Sequence, residues 1–200
     1  MDTNLRERRR KQTARDIQLA AVEVSLRCGY ENTTTEAIAA QAGISTRTFF
    51  NYYNNKQAAI LGEAVRLDPE MSRWFVTAKG PLVDDIAQLL GRGPKQEPLD
   101  RDVLRKIIAV IDANPVLRDL FRKRLDETTL DVARLLSERL GDDADHTVQL
   151  VAELSTHALA EAVAHWATDD EMTIDDVTGL IASKLRRVAT LLSRDDGQTA

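Results

Sequence analysis

The sequence predicts an all-α protein. Apolar residues recur at helical spacing along nearly the whole chain, no segment sustains a period-two alternation, and Gly and Pro cluster at a few boundaries. Its 200 residues, 43% of them hydrophobic, suffice for one substantial core or two modest ones. The apolar runs are far shorter than the roughly 20 residues that cross a bilayer, so we expect a cytoplasmic protein without a membrane partner.

The first predicted helix covers residues 12–28, and Gly29 supplies its C-terminal stop. Cys28 lies on its apolar face and is the chain's single cysteine. It can therefore form no internal disulfide, and we predict a small buried side chain.

Two very short helices are predicted next, at residues 33–41 and 46–52. Thr33 and Glu36 have the spacing of a capping box at the start of the first. Ser45 is placed to cap the second. A longer helix then begins after Asn54 or Asn55 and continues beyond Leu61, to Ala64 and Val65.

Beyond Leu67 the same patterns predict further helices, separated by breaks that contain glycine, proline or acidic residues. They cover residues 82–90, 102–113, 116–140, 147–167 and 175–193. A loop is predicted at Gly91, Gly93, Pro94 and Pro98.

The formal net charge of −5 hides an asymmetry along the chain. Residues 1–56 contain nine Lys or Arg against six acids, whereas the remainder carries a net charge of −8. A basic head on an acidic body suits a protein that meets DNA at one end, since phosphate attraction is local. Residues 6–11 are predicted to form a mobile basic arm that either reaches phosphates or a minor groove, or is merely solvated.

The two short helices are too small to form a core alone and must pack on their neighbours, which is the logic of a helix-turn-helix. Phe49 would hold the second short helix on its supports. The polar side chains that we expect to project outward are Thr46, Arg47, Thr48, Asn51 and Tyr52. A helix about 10 to 12 Å across fits a major groove of similar width.

These side chains suit the edges of bases. Arg47 can donate two hydrogen bonds to guanine, Asn51 can pair with adenine, and the threonines can reach phosphate or thymine methyl groups. Lys56, at the start of the next helix, can add its charge to a phosphate contact.

Residues 34–56, TTEAIAAQAGISTRTFFNYYNNK, resemble the DNA-binding signature of the TetR family of transcriptional regulators. The resemblance implies an N-terminal three-helix helix-turn-helix domain followed by a helical bundle that binds ligand and dimerises, about nine helices in all. It assigns DNA contacts to Thr35, Thr46, Arg47, Thr48, Phe50, Tyr52 and Lys56. Phe50 departs from the tyrosine common in the family, so Tyr52 is expected to supply the missing hydroxyl.

The resemblance also implies a palindromic operator, a homodimer formed through the last two helices, and a small-molecule effector that releases the DNA. The predicted domains are a basic arm (1–11), a DNA-binding domain (12–67), a ligand-binding and dimerisation domain (68–194) and a tail (195–200). The small residues Ala158 and Ala162 are candidates for the dimer interface. Repression is the family's commonest mode.

A mainly apolar effector pocket is expected among the middle helices. Its candidate residues are Trp74, Phe75, Phe121, His157, Glu161, His165 and Trp166. His157 and His165 are separated by about 12 Å along a helix, so they cannot share one metal ion, and packing or exposure stays an alternative for all of these residues. No metal and no cofactor are predicted.

An enzyme is not expected, because the sequence has no phosphate loop, nucleophile elbow or zinc-hydrolase motif. The alternative left open is a helical protein-interaction module or ligand-binding bundle without sequence-specific DNA binding. A purely internal aromatic cluster at Phe49, Phe50, Tyr52 and Tyr53 is disfavoured, because successive helical residues turn by about 100°.

Overall fold

The computed structural model describes residues 2–62, 66–96 and 100–193. Within that part the chain forms ten α-helices and one 3₁₀ helix, and no strand. The helices are α1 (Asp2–Cys28), α2 (Thr35–Gln41), α3 (Thr46–Phe50), α4 (Lys56–Leu61), α5 (Pro69–Thr77), α6 (Leu82–Gln96), α7 (Arg101–Ala113), α8 (Pro115–Leu140), α9 (Thr147–Thr168) and α10 (Asp176–Leu192); Gly141–Asp143 is the 3₁₀ helix. The predicted all-α class is confirmed.

Helix α1 is longer than predicted. It begins at Asp2 rather than at residue 12, so the expected mobile arm of residues 6–11 is helical. This extension could not be predicted from apolar periodicity, because its residues are mainly basic and polar and form no apolar stripe. The prediction for Cys28 is also wrong, since this residue is exposed at the C-terminal end of α1.

The caps of the short helices differ in detail from the prediction. Thr34, not Thr33, caps α2, and its Oγ accepts the N–H of Ala37 at 3.1 Å. Thr33 is buried instead and donates its hydroxyl to the carbonyl of Gly29. The predicted capping box of Thr33 and Glu36 is therefore wrong, and no box forms at Thr34 because the residue three positions later is Ala37.

Helix α4 is short and begins directly after Asn55, one of the two predicted cap residues. Asn55 caps it, accepting the N–H of Ala58 at 2.7 Å, and Gly62 ends it with a φ of +70°. Left-handed φ values favour glycine because it has no Cβ. The predicted continuation through Ala64 and Val65 lies outside the described residues.

The predicted loop at Gly91, Gly93 and Pro94 is wrong, because α6 continues through it. A Cβ at Gly91 would clash with the side chain of Thr178, so glycine permits a close approach of α6 and α10. Pro98 lies outside the described residues. No helix was predicted at α5. Asp68 caps this helix and Pro69 is its first residue, and both are signals of a helix start.

The described residues divide into two compact units. One lies within residues 1–64 and 102–122, the other within 65–101 and 123–200. This division is discontinuous in sequence, whereas the predicted domains were continuous. As functional domains, residues 12–67 and 68–194 remain a prediction.

The first unit has one apolar core, built by α1 to α4 with parts of α7 and α8. Its fully buried large side chains are Ile17, Val22, Ile38, Phe49, Ile60 and Leu117. Each short helix contributes to this core, which explains how helices of five to seven residues are stable here.

In the second unit, α10 packs against α6 and α9. A buried ion pair also joins α6 and α8, with Asp85 Oδ2 2.6 Å from Arg139 Nη2. No helix among the described residues is long and apolar enough to span a membrane.

Candidate nucleic-acid interface

Helix α3 is held in place by one cap and one buried anchor. Ser45 Oγ accepts the N–H of Thr48 at 3.0 Å, as predicted for the cap. Phe49 is fully buried in the core of the first unit. The helix ends at Phe50, two residues earlier than predicted, and Asn51 and Tyr52 lie in the turn that follows.

The predicted contact residues of α3 differ in exposure. Arg47, Phe50 and Asn51 are exposed, with Phe50 at 51%, while Thr46, Thr48 and Tyr52 are half-buried. Thr35, at the start of α2, is half-buried and donates its hydroxyl to Glu36 at 3.3 Å. These side chains can meet a partner without unfolding the helix.

The four aromatics around α3 do not form a single internal cluster. Phe49 and Tyr53 are buried, whereas Phe50 is exposed and packs edge-on against Phe49 with ring centroids 5.4 Å apart. The purely internal alternative is therefore excluded by the exposure of Phe50. As DNA contacts, Phe50 and Tyr52 stay predictions.

Lys56 has a structural role that the sequence did not indicate. Its ammonium donates to the carbonyls of Tyr30 at 2.7 Å and Glu31 at 3.4 Å, and lies 4.3 Å from the centre of the Tyr30 ring. Burial raises the pKa of the Tyr30 hydroxyl above its ordinary value. Lys56 thus connects the start of α4 to the loop after α1, and its phosphate contact stays a prediction.

Tyr53 fixes α1 relative to the turn after α3. Its hydroxyl donates to the carbonyl of Ala14 at 3.1 Å in a buried contact. Next to this contact, a cleft of about 390 Å³ opens between α1 and the α3 region. Its lining residues are Arg6, Arg9, Arg10, Thr13, Thr48, Asn51 and Tyr52.

The cleft therefore brings predicted contact residues of the α3 region together with arginines that the sequence had left in an undefined arm. The signal for these arginines was their spacing with Thr13, which is i, i+3, i+4 and i+7 and so places them on one helical face. It could be used only once the arm was known to be helical.

The effector-site candidates are divided between the two units. Phe121 packs against the core of the first unit. In the second unit, Phe75 and Trp166 are buried, and a guanidinium lies 4.8 Å from each ring, Arg139 over Phe75 and Arg101 over Trp166. Trp74 is half-buried.

The three polar candidates on α9 face solvent. His157 and His165 are exposed, and the exposed Glu161 forms an ion pair with Lys184 at 2.7 Å. Among the described residues, no group of three or more His, Cys, Asp or Glu side chains could hold a metal ion. These three residues are therefore surface groups of the single chain.

The comparisons with known proteins agree with this fold. Residues 17–61 match the family model for bacterial regulatory proteins of the tetR family. The HTH-type transcriptional regulator TcmR of Streptomyces glaucescens is 26% identical over 149 residues, which is 70% of this chain and 66%, just under two thirds, of that relative.

Solved structures share the fold over nearly the full chain. FadR of Thermus thermophilus, a TetR-family repressor solved with lauroyl-CoA, is 21% identical with a TM-score of 0.56, covering 94% of this chain and 98% of its own. FadR of Bacillus halodurans is 20% identical with a TM-score of 0.53, covering 92% and 97%. Residues 17–61 thus match the DNA-binding region of the tetR family, and the chain shares the fold of TetR-family regulators over nearly its full length.

Proposed function

We propose that this chain regulates transcription by binding an inverted-repeat operator as a homodimer, and that a small-molecule effector bound in the second unit releases it. The observation that carries the proposal is α3, a helix anchored by the fully buried Phe49 that leaves Arg47 and Asn51 exposed. With side chains α3 is about 10 to 12 Å wide, and the major groove is about 12 Å wide.

Each α3 is only five residues long and can contact only a few base pairs. Useful specificity therefore needs two copies, spaced by about one turn of DNA or roughly 34 Å. In this scheme Arg47 and Asn51 read base edges, while Thr35, Thr46, Thr48, Tyr52 and Lys56 position the phosphates. Phe50 supplies an apolar contact, since it has no hydroxyl.

The homodimer is proposed to form through α9 and α10, as in the family, but not through Ala158 and Ala162, the residues expected from the sequence. Ala158 and Ala162 are buried within the chain and cannot form the contact. The exposed large apolar residues of these helices are Leu150, Leu154, Leu191 and Leu192, between 46% and 80% exposed. Covering such side chains is a favourable contribution to association.

The effector is proposed to bind near the buried aromatics of the second unit. Arg139 Nη1, beside Phe75, and Trp166 Nε1 are buried without a hydrogen-bond partner among the described residues. A buried donor without an acceptor costs about 1–3 kcal/mol, so a ligand that offers an oxygen to either atom would gain affinity. Release of DNA follows if the effector binds the two states of the protein with different affinity.

The test is selection of bound duplexes from a random DNA pool, which should return an inverted repeat. On the selected duplex, Arg47→Ala should weaken binding by about 1–3 kcal/mol, because two hydrogen bonds to one base are lost. Arg122→Ala is the control, since Arg122 is an exposed arginine on α8 of the same unit. A pool without enrichment at low salt, or equal effects of the two substitutions, would refute the proposal.

A further inference from the structure

The cleft beside α3 is lined by three arginines and by no acidic residue. Arg6, Arg9 and Arg10 are exposed and form no ion pair with the residues that the structure describes. A concentration of unpaired positive charge in one concave surface is favourable only toward an anion. The other lining residues, Thr13, Thr48, Asn51 and Tyr52, add uncharged hydrogen-bonding groups.

The direction of the arginines follows from the helix that carries them. At 100° per residue, Arg6, Arg9 and Arg10 share the angular position of Ile17 and Val24 further along α1. Ile17 and Val24 are buried. The arginine face is thus the exposed continuation of the face by which α1 packs on its neighbours, and Arg8 lies on the opposite side.

The arm is part of a helix that the fold holds in place. It continues α1 without a break, and the hydrogen bond from Tyr53 to Ala14 ties α1 to the turn after α3 next to the cleft. Arginines on a formed helix lose less backbone entropy on binding than those of an irregular arm.

The width of the arm favours phosphate contacts over entry of the arm into the minor groove. A helix with side chains is about 10 to 12 Å across, whereas the minor groove is about 6 Å wide, so the helix itself stays outside that groove. Its arginines then meet the phosphates at the edge of the groove first. Arg6 and Arg10 are about 6 Å apart along the axis of α1, so their guanidinium groups can contact different phosphates.

We infer that Arg6, Arg9 and Arg10 form a rigid phosphate clamp, which holds the DNA strand bordering the groove that α3 enters. This inference rests on the proposed function and adds a second, sequence-independent contact to it. The clamp carries affinity and salt dependence, whereas α3 carries base specificity.

The experiment measures binding of the selected duplex between 50 and 200 mM salt for the full chain. The slope of log K against log salt is negative, and Arg9→Gln should make it less steep by about 0.9 per protomer, or about 1.8 per dimer. Arg8→Gln removes the same charge from the opposite face of the arm and should leave the slope unchanged. Glutamine has a helix propensity close to that of arginine, so helicity by circular dichroism should be equal in all three proteins.

The triple variant Arg6→Gln, Arg9→Gln, Arg10→Gln separates the clamp from the proposed function. It should lose protection of phosphates flanking each half-site but select the same inverted repeat. If the wild-type chain selects a repeat and the triple variant keeps its slope and phosphate protection, the clamp is refuted and operator binding stands. If no repeat is selected by the wild type, operator binding itself fails.

Two other results would also overturn the clamp. Equal slope changes in Arg8→Gln and Arg9→Gln would mean that only the total charge matters. Saturable binding of inorganic tripolyphosphate that depends on the three arginines, with an unchanged DNA slope, would assign the cleft to a small anion instead.

Discussion

Removing the carboxylate of Asp85 should destabilise the second unit strongly. The side chains of Asp85 and Arg139 are only 6% and 8% exposed, and their charged atoms are 2.6 Å apart. In Asp85→Ala the guanidinium stays buried with one carbonyl contact, to Gly80 at 3.0 Å, and the Phe75 ring. Breaking a buried pair in this way costs about 3–5 kcal/mol, because one charge remains without compensation.

An exposed ion pair on α8, the helix that carries Arg139, provides the control. Arg134 and Glu138 are 2.9 Å apart, four residues apart in sequence, and 62% and 46% exposed. Pairs of this kind contribute about 0.3–0.5 kcal/mol, so Glu138→Ala should have roughly a tenth of the effect. The double variant Asp85→Ala, Arg139→Met should recover most of the loss, since no charge is then left buried.

The assay is urea unfolding followed by tryptophan fluorescence. Both tryptophans, Trp74 and Trp166, belong to the second unit, so the signal reports on that unit alone. With a slope of about 2 kcal/mol per molar urea, Asp85→Ala should lower the midpoint by about 2 M. A midpoint shift no larger than that of Glu138→Ala would refute the reasoning.

Three further changes test other parts of the chain. Thr34→Ala should destabilise the first unit by about 1 kcal/mol in far-UV circular dichroism melts, because the cap of α2 is lost. Gly43→Ala should lower the free energy of unfolding by about 1–2 kcal/mol, because φ is +67° at this position. Gly179→Ala, in α10 with open space where its Cβ would lie, should raise the free energy of unfolding of the second unit by about 0.5–1 kcal/mol. A change in the same direction for both substitutions would contradict this reasoning. Leu150→Glu with Leu154→Glu should convert the expected dimer to a monomer in sedimentation equilibrium, and an unchanged mass would exclude this part of α9 from the interface.

Helix positions were predictable wherever an apolar stripe marks a buried face. The bounds of α7 to α10 agree with the predictions within one residue, because proline, glycine and acidic residues mark the breaks between these helices. The loop prediction at Gly91 failed because glycine serves there to bring two helices together, a tertiary effect that local propensity does not contain.

The candidate interface was predictable from residue types but incomplete. Arg47 is exposed on an anchored short helix, as the pattern around Phe49 predicted, and Asn51 is exposed in the turn that follows it. The arginines of the cleft were missed as part of that surface, since their common direction exists only if α1 extends to Asp2. Lys56 shows the converse, because its carbonyl partners come from the loop after α1 and not from neighbouring residues.

The exposed position of Cys28 gives the chain a native attachment point for a spectroscopic probe. It is the single thiol of the sequence and ends the helix that carries the arginine face. A thiol-reactive spin label would therefore mark each protomer once, with no engineered residue. In the proposed homodimer, the distances between the two labels would measure the separation of the two copies of the first unit, which contain α3. Comparing the distance distributions with and without DNA would show whether that separation changes.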